Sequence, residues 1–582
     1  MHLLSLCLSL FLFSISWLST PVYSQSTTCA VCVVLLTVLE QQNLTSSSPN
    51  PETTCKELTF CDGTCSLFNF SNSSHWPVVS PNFPTDGGAD DSRRILMKNI
   101  HDMTITNLRD TLPSFLTTLQ TYETSYYNTY GTSIPFYELI TYLSKTIIHH
   151  TLQGSACTDG LDITCDINRV FNEHLPLIDY DNDTYAGDNS AGEFLVNHFR
   201  GTNWRGRDCN DTLADIYPGR LITEYSADID ANCNGIYGTD PSTGMSYEEL
   251  YCSGDNTPMG IAILGDSATA HFHIPPQYVN ARTFNLNNVL DLAANEADWP
   301  ACSWSTAHNN MSACPRSGYL GNITAQSIYQ RMYTLNQCMH RDYINVGVNG
   351  ARTDSMAPPN GIVSYFTRNQ TYDAPMLVFY ALIGNDVCNG HPGNGSMTTV
   401  DEFHANVLAA LNYLDTVLPT GSHVAFMPLA DGRVLYDTTQ NLTHPLGVGY
   451  PDVYEYLSCS SANPCWGWLN TNETWRNYTS ERAQNLTNVY DTIINSGIQF
   501  QHFDMYRLQV DWFALINEYV ANGGKASDVI EPVDGFHPSQ TGNYLLADVV
   551  WNDLLSNRPN WLPKLNPYNA NITALFGNQG GY

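Results

Sequence analysis

The sequence predicts an α/β fold: a mostly parallel sheet with helices packed on both faces. Apolar runs at residues 259–264, 374–383 and 422–429 are long enough for buried strands and too short for helices. Residues 397–418 carry Val400, Phe403, Val407, Leu408, Leu411 and Leu414 on one helical face. Strand-like and helix-like segments alternate from residue 253 onward, as a parallel sheet with crossover helices requires.

The first strand, 259–264, ends at Gly265-Asp266-Ser267 and leaves a hydroxyl at the carboxyl end of the sheet. Open α/β sheets bind their ligands there. A serine is a weak nucleophile unless a base takes its proton. The second strand, 374–383, leads into Gly384-Asn385-Asp386. The helix at 397–418 follows, then a third strand at 422–429, a fourth at 497–503 and a closing helix at 544–555. The base is found in Asp534-Gly535-Phe536-His537-Pro538. Asp534, three residues before His537, can orient the imidazole, fix its tautomer and stabilise the imidazolium formed when His537 takes the Ser267 proton. An Asp-Gly turn ahead of a helix is also ordinary turn chemistry, so this motif alone decides nothing. Asn385 offers a side-chain amide to a developing oxyanion. Gly350, in Asn349-Gly350-Ala351-Arg352, offers a backbone N–H beside that of Ser267 itself.

The remaining sequence sets the context. Residues 1–24 read as a secretory signal, with an apolar stretch at 3–19 and Val22-Tyr23-Ser24 before the cut. No later stretch is apolar enough to span a bilayer. Of 17 cysteines, Cys7 lies in the signal and the rest are even in number, which in a secreted chain means disulfides. Sequons such as Asn43, Asn182, Asn210 and Asn571 agree with a glycoprotein. With 24 basic residues against 56 acidic and a net charge of −32, no basic stripe exists for nucleic acid.

Residues 157–252 are rich in Asp, Asn, Gly and Cys. Asp179, Asp181 and Asp183 alternate, with the Tyr185 backbone carbonyl next in the series. Asp208, Asn210 and Asp211 follow, then Asp228, Asp230, Asn232 and Asn234 before Gly235. Alternating oxygen ligands suit Ca2+, which takes 6–8 of them; a solvated turn is the bland reading of any one loop. Glycosylation at Asn182 or Asn210 conflicts with ligation by those side chains. Cys209 and Cys233 sit inside two of the loops and can tie them together, while Cys459 and Cys465 are further disulfide candidates. Residues 69–156 read as a linker or pro-segment with some helix.

Two resemblances add to this reading. Residues 25–68, with Cys29, Cys32, Cys55, Cys61 and Cys65 around an apolar stretch, resemble the two ends of a saposin-type lipid-binding domain, shortened between them. That resemblance implies the pairs Cys29–Cys61 and Cys32–Cys55. The ordered set Gly-Asp-Ser, Gly, Gly-Asn-Asp and Asp-x-x-His-Pro resembles the SGNH (GDSL-type) esterases and lipases, which implies a three-layer αβα domain over 253–582. Trp204-Arg205-Gly206-Arg207-Asp208-Cys209-Asn210-Asp211, His271-Phe272-His273-Ile274, His340-Arg341-Asp342-Tyr343, Glu531-Pro532-Val533-Asp534 and Phe576-Gly577-Asn578-Gln579-Gly580-Gly581 are similar to the acyloxyacyl hydrolases.

This likeness implies a secreted, lysosomal or phagosomal serine esterase that removes secondary fatty chains from lipid A of bacterial lipopolysaccharide. Ser267 would be the nucleophile, His537 base then acid, and Asp534 its orienter. Ser267, Gly350 and Asn385 would form the oxyanion hole, and the acidic loops would hold Ca2+. It also implies a small chain cut from a large one, with Cys65 the natural link, although the usual basic processing context is missing around 149–156. A phospholipase or general lipase of the same fold is the alternative in substrate, and a non-catalytic lipid carrier the alternative in class.

Overall fold

The structure, a computed structural model, describes residues 169–582 apart from 188–195, 223–226, 276–294, 309–313, 315–323, 389–392, 446 and 460–462. The expected signal, saposin-like ends and linker, with Cys29, Cys32, Cys55, Cys61 and Cys65, lie outside the described residues.

Among the described residues five strands make one parallel sheet: β1 (Gly260–Gly265), β2 (Tyr343–Gly347), β3 (Met376–Ala381), β4 (Ser422–Phe426) and β5 (Phe503–Arg507). Their order is β2-β1-β3-β4-β5. The helices that position the site are α1 (Ser267–Ala270), α2 (Ile328–Leu335), α3 (Val400–Val417), α4 (Glu473–Asn495), α5 (Trp512–Ala521) and α6 (Gln540–Asn557). Alternate strand residues feed two cores. Ile261, Ile263, Leu377 and Phe379 pack with α2 and α6, while Ala262, Leu264, Val378 and Tyr380 pack with α3 and α4. Both sheet faces are therefore dry, which is why β1 and β3 read as continuous apolar runs. The expected αβα sandwich is the one observed.

Local signals start the helices where they begin. Thr399 and Glu402 form a reciprocal capping box at α3, and the Ser539 hydroxyl accepts the Gly542 N–H at α6. Four sequence expectations need correction. The strand expected at 497–503 is a loop, and β5 begins only at Phe503, because the half-buried edge strand lacks a continuous apolar run. The strand at 422–429 ends at Phe426. β2 was not anticipated: Asn345 interrupts it, buried because its amide donates to Thr269 O and Thr306 Oγ1. Nor was α4, whose buried Ala483, Leu486, Val489, Tyr490 and Ile493 are diluted by Thr and Asn.

The acidic stretch is fastened to the sheet. Residues 204–206 run along the free edge of β2, with Asn345 N–H donating to Trp204 O and Gly206 N–H to Tyr343 O. Covering an exposed edge in this way blocks pairing with another chain. Four disulfides form among the described residues: Cys209–Cys233 as expected, Cys252–Cys338, Cys302–Cys314 and Cys388–Cys465. Cys465 thus pairs with Cys388, and the Cys459 side chain lies outside the description.

The strand order reverses between β1 and β3, so their carboxyl ends flank the crevice where such sheets bind ligands. Helix α1 starts there and is tucked against two glycines paired in register, Gly265 and Gly347. A Cβ on Gly265 would lie 2.3 Å from Thr269 Oγ1 and 2.8 Å from Ala381 O; one on Gly347 would lie 2.8 Å from Ala270 N. The requirement is for space. Gly265→Ala is expected to destabilise the fold by about 1–3 kcal/mol through overpacking, read as a lower denaturation midpoint. An unchanged midpoint would show that α1 shifts freely.

Candidate active site

Ser267 is the first residue of α1. Asp266, the residue before it, caps the helix: one carboxylate oxygen accepts the Ala268 N–H (3.0 Å) and the other the Ile383 N–H (2.6 Å). One side chain therefore fixes both the nucleophile turn and the end of β3. Burial pushes the Asp266 carboxyl up to about 6, while those two N–H donors pull it down.

His537 arrives from the loop ahead of α6. Ser267 Oγ–H donates to His537 Nε2 at 2.7 Å, and His537 Nδ1–H donates to Asp534 Oδ2 at 2.6 Å. Asp534 Oδ1 accepts the backbone N–H of Phe536 (2.8 Å) and of His537 (3.0 Å), so the carboxylate cannot swing. All three residues are buried, and the Phe272 ring lies 4.6 Å from the imidazole. The sequence-derived trio is brought together in the order a serine hydrolase uses.

Asn385 follows β3, buried, with Nδ2 donating to Ala351 O at 3.0 Å. Ala351 is the neighbour of Gly350, which has φ +82°, a conformation natural to glycine. The expected oxyanion donors thus come from adjoining loops at the same end of the sheet. Asp386 locks them: its carboxylate accepts Thr353 Oγ1–H and Thr398 Oγ1–H, each at 2.7 Å. The sequence does not mark this role, because Asp386 follows Asn385 in what looks like a plain turn.

Ser267, His537 and Asn385 open onto a cleft that is continuous with solvent. Apart from Asp266 and Asp431 its walls are mainly apolar, including Leu435, Trp468, Trp512, Leu515, Ile516 and Val529. Asp431 is held by Arg433 and by Ser480. An activated hydroxyl on an apolar-walled cleft is suited to acyl transfer from a long-chain ester.

The acidic loops form a second centre. Asp179, Asp181 and Asp183 bring carboxylate oxygens within 4.8 Å of one another, as do Asp181, Asp208 and Asp211. Asp181, Asp183 and Asp208 each turn one oxygen to a backbone N–H, at Asp183, Tyr185 and Asn210. Their other oxygens are buried without a partner among the described residues. Burial and the neighbouring carboxylates push Asp183 up to about 8 and Asp208 to about 7. Asp179 is paired with Arg169, and Asp211 accepts the N–H groups of Tyr180 and Gly187, so both brace the loops. Tyr185 is buried with its ring stacked on Tyr217, which confines any ligation to its backbone carbonyl. Asn210 Oδ1 is taken by the Thr212 hydroxyl.

The third loop does not join this cluster. Asp228 is exposed, Asp230 Oδ2 accepts the Gly235 N–H, and Asn232 and Asn234 donate their amides to Glu248. Their oxygens accept the Asn234 and Ile236 N–H groups. Asp230 Oδ1 is buried without a partner among the described residues, but neither Asp228 nor Asp230 brings an oxygen into the carboxylate clusters above.

Comparison with known proteins agrees with this geometry. A family model described as GDSL-like Lipase/Acylhydrolase matches residues 261–550. The chain is similar to acyloxyacyl hydrolase of Oryctolagus cuniculus, 40% identical over 426 residues that cover 72% of this chain and 70% of that protein. The Homo sapiens acyloxyacyl hydrolase is 38% identical over 425 residues, with the same coverage. That of Mus musculus is 38% identical over 417 residues, 70% of this chain and 69% of its own.

The cleft makes a prediction of its own. Ile516→Trp is expected to shift kcat/KM toward short p-nitrophenyl esters by about 10-fold or more relative to long ones, because each excluded methylene forfeits burial. An unaltered chain-length profile would mean that the acyl chain lies elsewhere.

Proposed function

This chain belongs to the acyloxyacyl hydrolase family and is a carboxylic ester hydrolase of the GDSL type; we propose that it removes secondary, acyloxyacyl-linked fatty chains from lipid A of bacterial lipopolysaccharide. The observation that carries the proposal is the buried Ser267–His537–Asp534 relay opening onto an apolar cleft. In this reading Ser267 Oγ attacks the ester carbonyl while His537 Nε2 takes its proton. Negative charge gathers on the carbonyl oxygen, faced by the N–H groups of Ser267 and Gly350 and by the Asn385 amide. His537 then protonates the departing hydroxyacyl oxygen. Water, deprotonated by His537, releases the fatty acid from the acyl-serine. Asp534 stays ionised throughout and stabilises the imidazolium.

The proposal includes Ca2+ at the acidic loops. Buried oxygens of Asp181, Asp183 and Asp208 that have no partner among the described residues support it, since such atoms carry a desolvation cost that a hard cation offsets. Asp181, Asp183 and Asp208 would be its ligands, with Asp179 and Asp211 bracing them. The ion's part would be structural, holding the loops beside the edge of β2. The proposal extends to a secretory or lysosomal location, where the four disulfides persist. A small N-terminal chain held through Cys65 belongs to the same reading. Among the described residues no helix is long and apolar enough to cross a membrane.

Mass spectrometry of lipid A after incubation tests the substrate. The wild type is expected to release the secondary chains, and Ser267→Ala to lose turnover by several orders of magnitude. Release from phospholipid micelles alone would transfer the assignment to a phospholipase; activity retained in Ser267→Ala would favour a lipid carrier. A thermal scan tests the metal. Ca2+ at a hundredfold excess over Kd is expected to stabilise chelator-treated protein by about 2.7 kcal/mol, and Asp208→Asn to abolish the increment. Equal midpoints with and without the ion would remove calcium from the account.

A further inference from the structure

Two stretches singled out in the sequence have no role in the relay just described: His271-Phe272-His273 and Glu531. In the structure they meet. Glu531 is fully buried, and its Oε2 lies 2.5 Å from His273 Nδ1. Its backbone closes the loop that carries the base. The Glu531 N–H donates to His537 O at 2.8 Å, and the Glu531 carbonyl accepts the Gly535 N–H at 2.9 Å.

His273 is fastened to the other half of the site. Phe272 N–H donates to Ser267 O (2.8 Å), His273 N–H to Ala297 O (3.0 Å), and Trp299 Nε1–H to His273 O (2.9 Å). The pair thus spans the segment bearing the nucleophile and the loop bearing the base. Neither residue lines the cleft.

We propose that Glu531 and His273 are a positioning pair, a second acid–imidazole couple that clamps the Asp534–His537 loop to the Ser267 segment and sets the Oγ–Nε2 distance. The inference rests on the reading of Ser267 and His537 as nucleophile and base. Burial raises the Glu531 carboxyl above its ordinary value, and the neighbouring His273 offsets part of that rise.

A double-mutant cycle on a p-nitrophenyl ester tests the clamp, with thermal midpoints measured alongside. Glu531→Ala and His273→Ala should each lower kcat by about 100-fold, the cost of misplacing a reacting group by about 1 Å, with KM within about twofold. The double variant should be no worse than either single one, because the residues act as a unit. Glu531→Gln, which still accepts the His273 N–H, should recover most of the loss. If an alanine variant does not fold, Glu531→Asp, which keeps the charge and shortens its reach, should show the same selective fall in kcat.

Near-wild-type kcat in the folded variants, losses that multiply in the double variant, or a loss confined to KM would each overturn the clamp. Ser267→Ala is run in parallel. If it retains turnover, the nucleophile assignment has failed; if it is inactive while Glu531→Ala turns over normally, the clamp alone has failed.

Discussion

A hydrogen bond of 2.7 Å joins side chains 270 positions apart in the chain, Ser267 Oγ and His537 Nε2. A serine hydroxyl gains nucleophilic power only while an imidazole is within reach of its proton. The sheet supplies the stiffness that makes such reach permanent. β1 delivers Ser267 onto a helix seated on two glycines, and β3 delivers Asn385 one strand away. Asp266 ties the two strand ends together, and Asp386 ties the Asn385 turn to the loop after β2. The base comes from a separate loop, so contacts between that loop and the 267–273 segment decide whether the relay closes.

Buried carboxylates recur wherever two loops must be held in register. Removing such an ion from water costs several kcal/mol even after the protein relaxes. At Asp534, Asp266 and Asp386 that cost is offset by backbone N–H groups, hydroxyls or an imidazole. At Asp181, Asp183 and Asp208 it is offset on one oxygen only. The first set needs nothing more from solution. The second leaves one oxygen on each side chain without a hydrogen-bond partner among the described residues, and the calcium proposal rests on that difference.

Much of this was legible in the sequence because strand ends punctuate themselves. Gly-Asp-Ser, Gly-Asn-Asp and Asp-x-x-His-Pro mark places where backbone must turn sharply beside polar side chains, and all three reach the site. Other features were hidden for physical reasons. β2 owes its burial to an asparagine satisfied by distant oxygens, and α4 buries a narrow stripe within a polar sequence. The edge strand β5 shows only half a pattern. The Asp228–Asn234 loop has the spacing of a ligand set, yet its asparagines are spent on Glu248, a partner that spacing cannot reveal. Glu531 and His273 were visible as motif residues, but their pairing across 258 positions was not.

The claim that Ser267 is activated by His537 is open to direct measurement through covalent labelling with a long-chain alkyl fluorophosphonate, followed by peptide mapping. A single phosphonylated residue is expected, Ser267, with the labelling rate falling by about three orders of magnitude or more in His537→Ala. Labelling at another serine, or an undiminished rate without the imidazole, would contradict the account.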